Sequence, residues 1–319
     1  VRILVTGGAG YIGSATVRAL LERGHQLIIL DSLEFGSVQA LEALGVAHHL
    51  VRGSITDSAL LDQIFAAQPI EAVMHFAAYK RGNESLNRPS DFFLTNVGGT
   101  FNLLDAMVRH GVKNFIFSSS GAIYGNLVQV PVGEAEVPSP QTPYGEGKVM
   151  VEKALPWYSQ AYGLNYASLR YFNAAGAAHD ALIGEDLRYS GNVIPLAIKA
   201  ALGLSPAFTI YGTDYPTPDG TCIRDFIHVS DLAEAHALAL DYILRTGKSA
   251  IYNLGSGQGT TIRQVVESVK RISGVDFKVT ELPRREGDTV ELWAASHKAR
   301  AELCWQPRYN LDDMVATAY

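Results

Sequence analysis

Short, almost wholly apolar runs alternate with longer amphipathic stretches through the first half of the chain, and this rhythm restricts the fold more than any other feature. Residues 2–6, 26–30, 47–51, 72–76 and 114–118 are strand-like, rich in Val, Ile, Leu and Phe. Between them, 11–22, 58–66 and 89–110 carry apolar residues at helical spacing. Strands without a polar face must be covered on both sides, and crossover helices do this for parallel sheets. A further helix from about Tyr144, leading into a strand at 165–169, completes an α/β, Rossmann-like doubly wound parallel sheet of six or more strands. The rhythm then loosens. Residues 192–202, 230–244 and 261–272 read as helices, 208–211, 251–254 and 277–281 as strands, with a Pro- and Gly-rich loop at 215–220. We expect a first domain over 1–172 and a smaller mixed α/β lobe over 173–319, with 230–254 able to return to the first sheet.

The 319 residues carry a formal charge of -6 and a mean hydropathy of +0.07. Both charge signs are spread along the chain, so no basic face offers itself to nucleic acid. No apolar run is long enough to cross a bilayer. Cys222 and Cys304 are far apart and fit neither a disulfide framework nor a metal-ligand spacing. Together with a first strand that begins at residue 2, leaving no signal segment in this sequence, they lead us to expect a reduced, cytoplasmic setting.

Thr6-Gly7-Gly8-Ala9-Gly10-Tyr11-Ile12-Gly13 follows the first strand and opens the first helix. Gly8, Gly10 and Gly13 satisfy the dinucleotide fingerprint, and Gly7, Gly10 and Gly13 its relaxed form. Glycine there allows a tight turn, close approach of a pyrophosphate and close helix–strand packing, with the helix N-terminus facing the phosphates. Asp31 ends the second strand, at the distance where a carboxylate accepts from both adenosine ribose hydroxyls. A carboxylate repels a 2′-phosphate, and no Arg or Lys occurs from Ser32 to Ala47 to offset it. NAD is therefore expected over NADP.

Tyr144-Gly145-Glu146-Gly147-Lys148 puts a tyrosine and a lysine on one helix face. A phenol is a poor base at neutral pH. A nearby ammonium and a positive nicotinamide ring would favour the phenolate and make it a proton acceptor for an alcohol losing hydride. Ser118-Ser119-Ser120 closes the fifth strand at the edge where doubly wound sheets bind ligands. Taken singly, each of these patterns is also what an ordinary turn or helix surface shows; their order along the chain is the specific signal.

The chain resembles the UDP-glucose 4-epimerase family of the extended short-chain dehydrogenase/reductases along essentially its whole length. The likeness is carried by the glycine loop, His75-Phe76-Ala77-Ala78 with Lys80, Asn96-Val97-Gly98-Gly99-Thr100, and the triple serine with Tyr124-Gly125. It continues through Pro143 to Lys148, Leu169-Arg170-Tyr171-Phe172-Asn173, and the block from Gly212 to Thr221. Arg224-Asp225-Phe226-Ile227-His228-Val229 and Pro283-Arg284-Arg285-Glu286-Gly287-Asp288 complete it.

The resemblance implies a mechanism. Tyr144 accepts the proton of the sugar's 4-hydroxyl as hydride passes to NAD, Lys148 binds the nicotinamide ribose and lowers the tyrosine pKa, and Ser120 bridges hydroxyl and phenolate. The 4-keto sugar then turns over and takes the hydride back on its other face. Cofactor contacts carry over onto Gly7, Gly10, Tyr11, Ile12, Gly13, Asp31, Phe76, Ala77, Ala78, Lys80, Asn96, Ser118, Tyr171 and Phe172. Ser54-Ile55 stands where the family has an acidic residue beside the adenine. For the UDP-sugar, the family likeness points to Asn173, Asn192, Val193, Thr209, Tyr211, Arg224, Arg285, Asp288 and Leu292. Phe226 replaces a common tyrosine, and Leu292 lies between the bulky and small residues that set sugar breadth, so N-acetylated sugars, pentoses and uronates stay open. A homodimer through helices 89–110 and 144–162 is also implied.

Three other readings share the cofactor half. A 4,6-dehydratase needs an acid pair after the strand-end hydroxyl, where this chain has Gly121-Ala122. A plain dehydrogenase lacks a reason for the nucleotide clamps, and a cofactor-sensing regulator lacks one for the Tyr–Lys–Ser set.

Overall fold

The computed structural model describes residues 1–126, 129–285 and 288–319. Its chain packs as two compact units. The first comprises residues 1–125, 137–170 and 233–252, the second 126–136, 171–232 and 253–319.

The first unit is built on a seven-stranded sheet of β1 (Arg2–Thr6), β2 (Gln26–Asp31), β3 (Leu50–Arg52), β4 (Ala72–His75), β5 (Asn114–Ser118), β6 (Asn165–Tyr171) and β7 (Ala250–Leu254), numbered within that sheet. The strand order is β7-β6-β5-β4-β1-β2-β3. Pairing from β3 through to β6 is parallel throughout. The order reverses between β1 and β4, and such a switch point opens a crevice at the carboxyl ends of the strands. Leu4, Val73, Phe115 and Phe117 are buried in the core between this sheet and its covering helices.

Three elements differ from expectation. Residues 47–51 divide into a short 3-10 turn, Ala47–His49, and the edge strand β3. The His48 and His49 rings lie 4.0 Å apart on that turn, so the apolar run begins too late for a full strand. The stretch 89–110 is helical, but its middle, Phe93–Gly99, is a π-helix between Pro89–Phe92 and Thr100–Arg109. A Cβ on Gly99 would stand 2.7 Å from the Ile55 side chain, so the widened turn and the missing side chain go together. The predicted strand 277–281 begins instead at Val279, because Phe277 is buried in the core ahead of it.

The second unit has three small sheets. Asn173–Ala175 pairs with Phe226–His228, Phe208–Tyr211 with Val279–Leu282, and Ile223–Arg224 lies between Thr260–Thr261 and Glu291–Leu292. The helices Ile262–Ser273 and Leu311–Ala318 start on capping boxes, Thr261 with Gln264 and Asn310 with Asp313, which satisfy otherwise orphaned N–H groups. Buried Asp225 ties the unit together, accepting from Ser256 N and Oγ and from Ala294 N. Among the described residues, no helix is long and apolar enough to cross a membrane.

Candidate active site

At the end of β1 the chain turns at Gly7, whose φ of +72° suits glycine and whose missing Cβ would stand 2.6 Å from Ala77 N. On Gly13 a Cβ would meet the Gly7 carbonyl at 2.1 Å, so the helix Tyr11–Glu22 can start against the loop only with glycine there. That helix has no side-chain cap at Gly10, and its first N–H groups suit an anion. Phe76 N and Ala77 N both donate to the Thr6 carbonyl, fixing the start of the segment that holds Ala78 and the exposed Lys80.

Asp31, buried at the end of β2, accepts from Ala9 N at 2.9 Å and Leu33 N at 2.8 Å. Burial pushes its pKa up and the two N–H groups offset part of that. Each oxygen retains lone pairs for the hydroxyls of a ribose, and the loop glycines leave room for a pyrophosphate. The residues present therefore fit a dinucleotide. Asn96 is committed elsewhere: its side chain accepts from Tyr79 N and donates to Tyr79 O, clamping the segment that leads to Lys80. Ser54 Oγ pairs with Thr56 Oγ1 and accepts from Thr56 N, so it serves its own turn, and Ile55 is buried beneath Gly99.

The reacting group is assembled by a helix start. Thr142 caps Pro143–Tyr162 by accepting from Gly145 N, and Pro143 occupies the first helical turn. A Cβ on Gly145 would stand 2.7 Å from the Ala122 carbonyl, so glycine brings this turn against the 3-10 turn Gly121–Ile123 that follows Ser120. The Ser120 hydroxyl acts on the Tyr144 phenol there, and Ser120 Oγ accepts from Ala122 N. Lys148, 5 % exposed, donates from Nζ to the Ser118 carbonyl at 2.7 Å and stands 5.9 Å from the Tyr144 ring centre.

The electrostatics correct one expectation. Burial raises the Tyr144 pKa, and only the Ser120 hydroxyl opposes it. Burial also lowers Lys148 to about 8, with Glu152 pulling the other way. The ammonium faces a backbone carbonyl rather than the phenol, so the residues alone keep Tyr144 protonated. Activation needs a further positive charge beside the phenol.

Behind these residues lies a network that sequence reasoning missed. Glu152, one turn after Lys148, takes Arg170 through both carboxylate oxygens and accepts from Ser119 Oγ at 2.5 Å. Arg170 also donates to the Tyr124 hydroxyl at 2.8 Å. On the other side, Ser118 Oγ lies 3.0 Å from Nε2 of His236. A signal did exist: Arg170 is the one charged residue of a largely buried strand, and such a residue needs a buried partner.

In the second unit, Asp288 joins the two arginines, with Arg285 Nε at 3.0 Å and Arg224 at 3.9 Å. The Arg285 guanidinium lies over the Tyr211 ring, 4.5 Å from its centre. Arg224 is oriented by the carbonyls of Ile223 and Thr289, and Leu292 is its register partner. These residues form one cluster. Asn173 follows Tyr171 and Phe172 and donates from Nδ2 to the Asp225 carbonyl. Asn192 precedes the helix Val193–Ala201 and donates to Glu185, while Thr209 Oγ1 pairs with Thr280 Oγ1. Phe226 is buried in the unit's core, and Glu286 and Gly287 lie outside the described residues.

The pattern of the NAD dependent epimerase/dehydratase family matches residues 3–255. The chain belongs to this family. Among curated relatives, a UDP-glucose 4-epimerase of Halalkalibacterium halodurans is 46% identical over 99% of this chain and 94% of its own length. Among solved structures, a UDP-glucose-4-epimerase from Stenotrophomonas maltophila with bound NAD and formylated UDP-arabinopyranose superposes with a TM-score of 0.96, at 39% identity over 99% of this chain and 96% of that one. The Bifidobacterium longum UDP-glucose 4-epimerase, solved with NAD+ and UDP, gives 0.94 at 36% identity over 100% and 97%. The epimerase/dehydratase family covers two chemistries. In this member the turn after Ser120 is Gly121-Ala122-Ile123, without the acid pair that elimination requires.

Proposed function

We infer that this protein interconverts UDP-glucose and UDP-galactose, oxidising the sugar transiently at carbon 4 and returning the hydride to the opposite face. The observation that carries the reading is the grouping of Tyr144, Ser120 and buried Lys148, in the same unit as a glycine loop and Asp31 fit for NAD. When bound, oxidised NAD supplies the hydride acceptor and the positive charge that the phenol lacks. Tyr144 takes the 4-hydroxyl proton through Ser120 and later gives it back, so no net redox change results. Lys148 stays largely protonated at neutral pH and steadies the phenolate. Asp31 holds the adenosine ribose. Arg224 and Arg285 bind the diphosphate with planar donor forks, Asp288 the uridine ribose, and Tyr211 stacks on the base.

A second copy of the chain is proposed as the partner. Leu94 is 65 % exposed on the π-helical turn, and Trp157 is 71 % exposed on the helix Pro143–Tyr162, where Met150 is also exposed. Large apolar side chains on two long helices suit a four-helix contact between protomers.

The decisive experiment incubates purified protein with UDP-galactose without added NAD and follows carbon 4 by NMR. We expect a glucose–galactose mixture. Protein that carries NAD yet leaves UDP-galactose unchanged would sink the hexose assignment. In the same assay Tyr144→Phe should lower turnover by about a thousandfold while NAD stays bound.

A further inference from the structure

Three loops surround the proposed dinucleotide cleft, and each is tied to the next. They follow β1, β2 and β4, strands adjacent in the order β4-β1-β2, so the glycine loop lies between the other two. The loop after β2 is joined to the glycine loop by Ser37 N donating to the Ala9 carbonyl and by Ala9 N donating to Asp31. The loop after β4 is joined to it by Ala77 N donating to Thr6 and by the close approach of Gly7 to Ala77. The two outer loops meet each other as well. The Tyr79 hydroxyl donates to the Glu34 carboxylate, at 3.0 Å from Oε2 and 3.3 Å from Oε1, and the Tyr79 ring meets Phe35 edge-on at 6.0 Å.

The two sides of that last contact differ in firmness. Tyr79 is held from behind: Asn96 clamps its backbone N–H and carbonyl, its ring packs on Phe92 at 5.5 Å, and Arg88 stands 5.9 Å from its centre. Glu34 and Phe35 are exposed, and they follow Leu33, which has a φ of +63° that a leucine adopts only at some strain. The 33–35 segment is therefore the more exposed side of the contact, and Tyr79 the side buttressed from behind.

We propose that Tyr79 and Glu34 form a clasp that closes the dinucleotide cleft and slows the release of bound NAD. This rests on the reading of the chain as an NAD-dependent epimerase. A dinucleotide seated on Asp31 and the glycine loop lies inside the ring of three loops, and it leaves only when the Glu34 side opens. The proposed reaction borrows a hydride and returns it, so no step of turnover requires the cofactor to depart. A closed clasp then costs nothing in rate and prevents loss of the cofactor between turnovers.

The test follows NAD leaving purified, NAD-loaded protein after dilution into a scavenger that removes released cofactor. Tyr79→Phe keeps the ring and removes the hydrogen bond to a charged acceptor; release should quicken about tenfold. Glu34→Ala should quicken release to a similar degree. Loss of a negative charge near a pyrophosphate would by itself slow departure, so acceleration in that variant points to the clasp rather than to charge. The double variant should release no faster than either single one, as expected for two residues acting through one contact. Turnover of loaded protein on UDP-galactose should not change. Release at the parent rate in Tyr79→Phe, or effects that multiply in the double variant, would overturn the clasp while leaving the epimerase reading intact. Parent protein that binds no NAD would overturn both.

Discussion

Glu152 holds Arg170 through both carboxylate oxygens inside the first unit, with the closest approach at 2.5 Å and both side chains almost wholly buried. Glu152 stands one helical turn beyond Lys148, and Ser119, which it also accepts from, is the neighbour of Ser120. The ion pair thus braces both the strand end and the helix turn that carry the proposed chemistry.

Removing half of such a pair leaves a charge in the interior without its counter-charge, which costs about 3–5 kcal/mol. Glu152→Gln should therefore lower the melting temperature by several degrees. Glu152→Leu combined with Arg170→Met should recover much of that loss, because an apolar pair of similar volume needs no compensation. Melting curves of the parent and these two variants check this. Equal losses in single and double variants would show that the pair's other hydrogen bonds, to Ser119 and Tyr124, dominate.

Acid should weaken the fold through its buried histidines. His75, between Thr6 Oγ1 and Thr100 Oγ1, is pushed down to about 3 by burial, and His228 to about 4, from an ordinary 6.5. Below pH 6.5 the unfolded chain takes up protons that the folded one refuses, so stability is present above that value and is lost as pH falls. Asp225 acts in the opposite sense. Burial raises it to about 6 from 3.8, so the folded chain gains a proton first and stability rises as pH falls through that window. His75 and His228 together outweigh Asp225, so these three groups make stability slope downward as pH falls from 6.5 toward 5. Denaturation at pH 7, 6 and 5 should show that slope, and His75→Gln should flatten it. An unchanged slope in the variant would remove His75 from the account.

Trp157 tests the proposed self-association. Trp157→Glu places a charge on the apolar face of the helix Pro143–Tyr162 and should shift the protein from dimer to monomer in sedimentation. A variant that stays dimeric, or a parent chain that is monomeric, would place the contact elsewhere or abolish it.

The parallel sheet is legible in the chain because apolar strands with no polar face admit few arrangements, and the glycine loop is legible because its constraints are local. Gly7, Gly10 and Gly13 meet backbone within their own turn or just after β4. Tyr144 and Lys148 share a helix face by spacing alone. The π-helical turn at Phe93–Gly99 escapes such reading; it ends at Gly99, which lies against Ile55, a residue from another crossover.

The sequence by itself determined the order of strands and helices, the cofactor loop with its acidic partner, and which hydroxyl, phenol and ammonium could act on an alcohol. Only the tertiary structure decided how those groups are tuned. Lys148 turns to the Ser118 carbonyl and Tyr144 is left with a raised pKa, because burial and hydrogen-bond direction are properties of the packed site. It also decided the partners: Arg170 for Glu152, His236 for Ser118 across 118 residues, and Glu34 for Tyr79 across 45. Periodicity along a chain carries information about faces. Which face meets which is settled by how the crossovers bring distant segments to one end of the sheet.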